Sequence, residues 1–218
     1  IEDEREGKYL GKTVQIIPHV TNAMQEAILS AAEGYDIHIV EIGGTVGDYE
    51  SVAFIEAARQ LMDKLGAGNA ISVHVVYLPY IAASQEVKSK PAQNAVRDLR
   101  EVGIYPDIIV ARADTEVESK IVDKLSLFTG LPKQAIVPMP TVDTIYSVPL
   151  IVEKLDVGSL VCKYLGIKDH KADIKAWKKL VEKIQDNTLP CVKIGIVAKY
   201  LDHQDTYASV VESIKSAA

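Results

Sequence analysis

Two stretches of this 218-residue chain carry residue types that could act on a phosphorylated substrate. Residues 41–50 read Glu-Ile-Gly-Gly-Thr-Val-Gly-Asp-Tyr-Glu. Glu41 closes an apolar run, the position from which a Walker-B carboxylate meets Mg2+ on a nucleotide phosphate. The glycines behind it let backbone amides come close to an anion. Residues 84–93 read Ser-Gln-Glu-Val-Lys-Ser-Lys-Pro-Ala-Gln, with Lys88 and Lys90 either side of Ser89 at the start of an expected helix. There the helix dipole, free amides and two ammonium groups would act on one anion. The plainer reading of both stretches is a solvated turn, and Lys124, by spacing alone, is a surface lysine of a later helix.

Other chemistries are excluded by what the chain lacks. No G-x-x-x-x-G-K-[ST] phosphate loop occurs in these residues, and no G-x-S-x-G, H-E-x-x-H or C-x-x-C. The five histidines, at 19, 38, 74, 170 and 203, are scattered, and His38 and His74 fall in apolar runs as expected core side chains. Cys162 and Cys191 lie 29 residues apart, too few for a disulfide framework; they read as structural thiols in a reducing cytoplasm. With 24 Lys+Arg against 30 Asp+Glu, the net charge of −6 argues against a general nucleic-acid or anionic-membrane binder. No run approaches the roughly 20 apolar residues of a membrane span, and no basic segment with an apolar core opens the chain. The chain starts at Ile1 within a charged string and stops just after one expected helix, which predicts a piece of a longer polypeptide.

The elements that must position these loops follow from periodicity. Strands are expected over residues 13–17, 36–41, 70–78, 107–110 and 135–137, with helices over about 22–34 and 49–65, from Pro91 onward, and over about 117–128 between them. Asn22 is the expected cap of the first helix, with Gln25 as its capping-box partner and Gly34 as its stop. The helix over 49–65 should bury Val52, Phe54, Ile55, Ala58 and Leu61. The nearly all-apolar run 70–78 should be covered on both faces, as in a parallel sheet. The fold class is therefore α/β: a mainly parallel, Rossmann-like sheet with helices on both faces. After Pro149 the pattern shifts to two helices, 151–165 and 173–184, and a turn-rich 186–190. A fresh apolar strand over 191–197 and a helix over 207–215 then read as the first β-α unit of a second α/β domain.

At these loops the sequence resembles the CTP synthase family. The resemblance is carried by GKTVQIIPHVTNAMQEAI, VEIGGTVGDYES, HVVYLPYIAASQEVKSKPAQ, PDIIVARAD, VDTIYSVPL and KIGIVAKYLDHQDTYASVVESI, which follow one another over nearly the whole chain. It implies the later part of a P-loop NTPase-like synthase (amidoligase) domain over 1–167, a linker over 168–190 and the start of a class I glutaminase domain over 191–218. The family's P-loop would lie upstream and its glutaminase triad downstream, so this chain alone is expected to be inactive. The implied reaction is the ATP- and Mg2+-dependent amination of UTP to CTP, with ammonia from glutamine and GTP as a candidate activator.

Residue by residue, the resemblance makes Glu41 the metal ligand. Lys88, Ser89, Lys90, Pro91, Ala92, Gln93 and Lys124 would bind UTP or CTP. Asp48, Tyr49 and Glu50 would meet CTP as inhibitor, and Pro140, Thr141 and Val142 would lie beside the adenine of ATP. It also implies small-molecule nucleotides as partners, a homotetramer and a cytoplasmic location. The family's loop usually reads SGEVKTKPTQ; here Gln85 replaces a glycine, and Ser89 and Ala92 each replace a threonine. Thr141 stands where the family often has Asp, and Tyr49 where an aliphatic residue is frequent. Two other readings stay open at this point: a different P-loop-type ligase or ATPase, such as a dethiobiotin synthetase relative, and a non-catalytic assembly or regulatory module.

Overall fold

The computed structural model describes all residues except Asn187, Leu189, Cys191, Leu201 and Ala218, and the side chain of Gln204. In chain order the helices are α1 (Glu2–Arg5), α2 (Thr21–Ala31), α3 (Val52–Leu65), α4 (Lys90–Glu101), α5 (Ser119–Thr129), α6 (Val148–Lys154), α7 (Val157–Tyr164), α8 (Lys175–Ile184) and α9 (Ala208–Ala217). The strands are β1 (Val73–Leu78), β2 (Tyr80–Ile81), β3 (Glu86–Val87), β4 (Ile108–Ala113) and β5 (Ile136–Pro140). Two compact units divide the chain, Ile1–Val181 and Glu182–Ala218.

Apolar strands separated by helices give the expected α/β arrangement. The main sheet is parallel, in the order β1-β4-β5, with Val75 opposite Val110 and Ile109 opposite Ile136. Successive residues of β4 point to opposite faces. On one face Ile109 and Ala111 join Val76, Leu78, Ile136, Val96 of α4 and Leu125 of α5. On the other, Ile108 joins Val137, Met139 and Leu160 of α7, with residues of α6 packed around them. The strand and helix residues of these two layers are almost fully buried, which makes this the core.

Several expected elements form differently. Residues 13–17 make no strand: Ile17 is extended (φ −111°, ψ 124°), but the chain turns at Ile16–Val20 straight into α2. Pro18, which has no amide to donate, sits inside that turn. Asn22 lies within α2, not at its cap. The cap is Val20, without a side-chain bond, and Gln25 is buried against Gln60 and Lys64 of α3. That helix ends at Ala31, three residues before Gly34, whose φ of +82° serves the turn beyond.

Residues 36–41 join neither sheet; Ile37 and Ile39 are exposed, and so is His38, which is no core residue. β1 is consequently an edge strand. Val76 and Leu78 are buried beneath α4, while Val73, Val75 and Tyr77 are exposed on the other face, so β1 is covered on one face only. His74 is partly buried, but its Nδ1 has no partner, and burial lowers its pKa. In α3, Ile55, Ala57 and Leu61 are buried while Val52 and Phe54 stay half-exposed. The expected loop before α4 is a small antiparallel hairpin of β2 and β3. The helix expected over 151–165 breaks at Asp156, which adopts a left-handed conformation (φ 55°, ψ 33°) between α6 and α7.

In the second unit, residues 192–197 form no strand, and Val192 and Val197 are exposed. A lone strand has nothing to complete its ladder. Cys191 itself lies outside the described residues. A turn at Gln204–Tyr207 leads into α9, close to the expected helix.

Candidate nucleotide site at the carboxyl ends of the strands

The lysine loop is built by the element that follows it. β1 ends at Leu78, the β2–β3 hairpin reverses the chain, and the Lys88 amide donates to Pro79 O at 2.9 Å. Ser89 is the N-terminal cap residue of α4 and Pro91 lies in its first turn, where a missing amide is harmless. Ser89, Ala92 and Gln93 are buried, and Gln93 Nε2 donates to Ser89 Oγ at 3.1 Å. Lys88, Lys90 and Pro91 remain exposed at the helix N-terminus. Lys88 is ion-paired to Glu86, and that ammonium holds the Glu86 carboxyl below its ordinary range. Gln85, in the hairpin turn, adopts φ +50°, a left-handed conformation that a glycine would take without cost. Lys124 is exposed on α5, between the buried Ile121 and Leu125.

A second group stands at the ends of the neighbouring strands. Thr141, just past β5, donates from its amide to Ala113 O at 2.9 Å and from its hydroxyl to the same oxygen at 3.2 Å. Arg112 sends its guanidinium across to β5, donating to Met139 O at 3.2 Å and Thr141 Oγ1 at 3.5 Å. The Tyr77 hydroxyl donates to Asp114 Oδ2 at 2.6 Å, a bond that raises the phenol's pKa. Arg112, Asp114 and Tyr77 escaped the sequence reading. Arg112 and Tyr77 look like ordinary strand residues until the register sets them side by side. The one signal available was an arginine and an acid closing an otherwise apolar strand.

The acidic loop is held by a turn of its own. Residues 45–51 form a tight turn in which the Thr45 amide donates to Asp48 Oδ2 at 3.2 Å. The buried Ser51 hydroxyl donates to Thr45 O and Asp48 O, each at 3.1 Å. Gly44 and Gly47 have φ of +88° and +100°, values that suit glycine alone. Glu41, Asp48, Tyr49 and Glu50 are exposed, Tyr49 at 98%. Ile42 and Val46 pack against Ile55, Leu99 and Ile104. Ile42 and Val46 thus tie the turn to a small apolar cluster of its own, made by Ile55 of α3, Leu99 of α4 and Ile104.

Among the described residues no three His, Cys, Asp or Glu side chains gather as a metal cage. A lone carboxylate fits one metal habit: Mg2+ that keeps its waters and arrives on phosphate oxygens, needing one or two protein carboxylates. No helix of the described residues is long and apolar enough to cross a membrane.

A parallel α/β sheet with helices on both faces defines a Rossmann-like class of domain, in which ligands bind outside the carboxyl ends of the strands, where this chain carries its lysine loop. A model of the CTP synthase N-terminus matches residues 1–167. The chain is 47% identical to a CTP synthase of Methanocaldococcus jannaschii over 211 residues, covering 97% of this chain and 39% of that protein. It is also 47% identical to a CTP synthase of Dehalococcoides mccartyi over 220 residues, and 44% identical to one of Thermococcus kodakarensis over 218. In both cases all of this chain matches, against 40% and 41% of the relative. The chain belongs to the CTP synthase family, and it spans about two-fifths of the length of these relatives.

Proposed function

We propose that this segment serves the ATP-dependent amination of UTP to CTP, with ammonia supplied by glutamine hydrolysis. The carrying observation is the lysine loop, fixed by buried Ser89 and Gln93 at the N-terminus of α4 and at the carboxyl end of β1. Two triphosphates brought together carry a large negative charge, which fixed ammonium groups and a metal must offset. Lys88 and Lys90 hold the phosphates of UTP, or of CTP in competition, with Ser89, Pro91, Ala92 and Gln93 shaping the turn. Lys124 adds a further positive charge. For Lys88 to act, its ammonium must leave Glu86 for phosphate.

Pro140, Thr141 and Val142 lie beside the adenine of ATP, with the Arg112 guanidinium held next to them. Glu41 ligates Mg2+, which when bound neutralises phosphate charge and orients it for transfer. Asp48, Tyr49 and Glu50 meet CTP as feedback inhibitor, and GTP acts as activator. In this reading 168–190 links the synthase domain to a glutaminase domain that begins at 191, the enzyme is a cytoplasmic homotetramer, and residues 1–218 alone are inactive.

The test is isotope-traced conversion of UTP to CTP with ATP, Mg2+ and either glutamine or ammonia. It compares the full-length polypeptide that carries these residues with residues 1–218 alone. CTP from the former and none from the latter is expected. No CTP from the full-length polypeptide with either nitrogen source would sink the reading.

A further inference from the structure

The Tyr77–Asp114 pair has no part in the reaction as read so far. Leu78 stands opposite Ala113 in the β1–β4 register, so Asp114 is the first residue beyond the carboxyl end of β4. It is exposed, and Thr141 reaches Ala113, its neighbour in the chain, from β5. Arg112, two residues earlier, is committed to β5, so the hydrogen bond Asp114 receives from a side chain comes from Tyr77 across 37 residues. That bond occupies one acceptor position on Oδ2; a carboxylate has about four. Asp114 itself is exposed just past the carboxyl end of β4, the end of the strands at which ligands of open parallel sheets bind. The partner such an acceptor fits is a pair of adjacent hydroxyl donors. In dinucleotide-binding sheets an acid plays this part toward the ribose 2′-hydroxyl.

We propose that Asp114 accepts hydrogen bonds from the ribose hydroxyls of the purine nucleotide, and that Tyr77 is the positioning residue that fixes its carboxylate. This rests on the placement of ATP beside Thr141 given above. The ring of Tyr77 lies flat on no core, being exposed on the uncovered face of β1, so its hydroxyl is the part of it with a task.

The experiment compares ATP with 2′-deoxyATP in the full-length polypeptide that carries these residues, for the unsubstituted form and for Tyr77→Phe and Asp114→Asn. The unsubstituted form should prefer ATP by about ten-fold in KM, the scale of one hydrogen bond to a charged group. Asp114→Asn should bring that preference below about two-fold, and Tyr77→Phe should lower it part of the way, with the KM for UTP unchanged in both. A preference that survives both substitutions overturns the proposal. So does a parallel loss of ATP and UTP use, which would mark a merely structural pair. If the unsubstituted polypeptide makes no CTP, the reading beneath falls; equilibrium binding of ATP against 2′-deoxyATP, with the same variants, then still decides the ribose contact.

Discussion

The lysine loop and the acidic loop are equally suggestive in sequence, yet the molecule treats them differently. The lysine loop is tied to a strand paired with β4 and to a helix whose Ala92, Val96 and Leu99 are buried. The acidic loop follows residues 36–41, which join neither sheet of the described residues, and is tied down by its own turn and by Ile42 and Val46. A motif's chemistry resides in a few side chains. Its position comes from the ladder and core behind it, and the two loops rest on different clusters of buried side chains.

That contrast can be broken most sharply at Glu41. If Glu41 serves the metal, Glu41→Ala in the full-length polypeptide lowers ATP-dependent CTP formation by about 100-fold or more, and glutamine hydrolysis continues. Unchanged CTP formation would show that Glu41 holds no metal the reaction needs. In stability, the built half should be costly to disturb. Leu125→Ala, at a fully buried site, should lose about 2–5 kcal/mol in denaturant melts. Ile39→Ala, at a side chain 86% exposed, should stay within about 0.5 kcal/mol. A large loss at Ile39 would mean that residues 36–41 are packed after all.

At the lysine loop itself, Lys88→Ala should raise the UTP needed for half-maximal rate by about ten-fold or more, since a charged contact contributes about 1.5–3 kcal/mol. Ser89→Ala removes the acceptor of the buried Gln93 amide and should cost about 1–3 kcal/mol in stability. No cost would show that water replaces the hydroxyl and that the loop is less fixed than described. The smallest effect belongs to the helix between the two regions. In α3 the hydrogen bonds from Arg59 and Gln60 hold the Glu56 carboxyl at about 2, against an ordinary 4.5. A depressed carboxyl stabilises the fold above about pH 4.5, and that contribution fades as pH falls through 2. Glu56→Gln should therefore cost about 0.5 kcal/mol at pH 7 and nothing near pH 2, read as the difference between two melting curves.

The parallel core was legible because its signals are local and dense: 108–113 and 136–140 are short apolar runs, and α4 and α5 carry regular buried positions. The lysine loop was legible for the same reason, down to Pro91 in the first turn. What stayed hidden depends on partners distant in the chain. Nothing in residues 36–41 says that no strand pairs with them, and β1 reads as buried on both faces until the edge of the sheet is known. Gln25 has the spacing of a capping box but is better satisfied by Gln60 and Lys64. Arg112 and Thr141 are 29 positions apart and meet only through the register of β4 and β5.

The break at Asp156 sets a length scale for the molecule. Run straight, the 17 residues from Val148 to Tyr164 would make a rod of about 26 Å. Strands of five or six residues are only about 17–20 Å long, and three of them side by side are about 10 Å across. An unbroken rod would overhang the sheet and leave part of its apolar stripe in water. With the carboxylate of Asp156 accepting from Ser159 Oγ at 2.6 Å, the chain is folded into two pieces of 7 and 8 residues. Val148, Ile151 and Val152 of the first and Val157, Leu160 and Val161 of the second then join Ile108, Val137 and Met139 in one cluster, so one residue with positive φ lets two short helices cover a single sheet face.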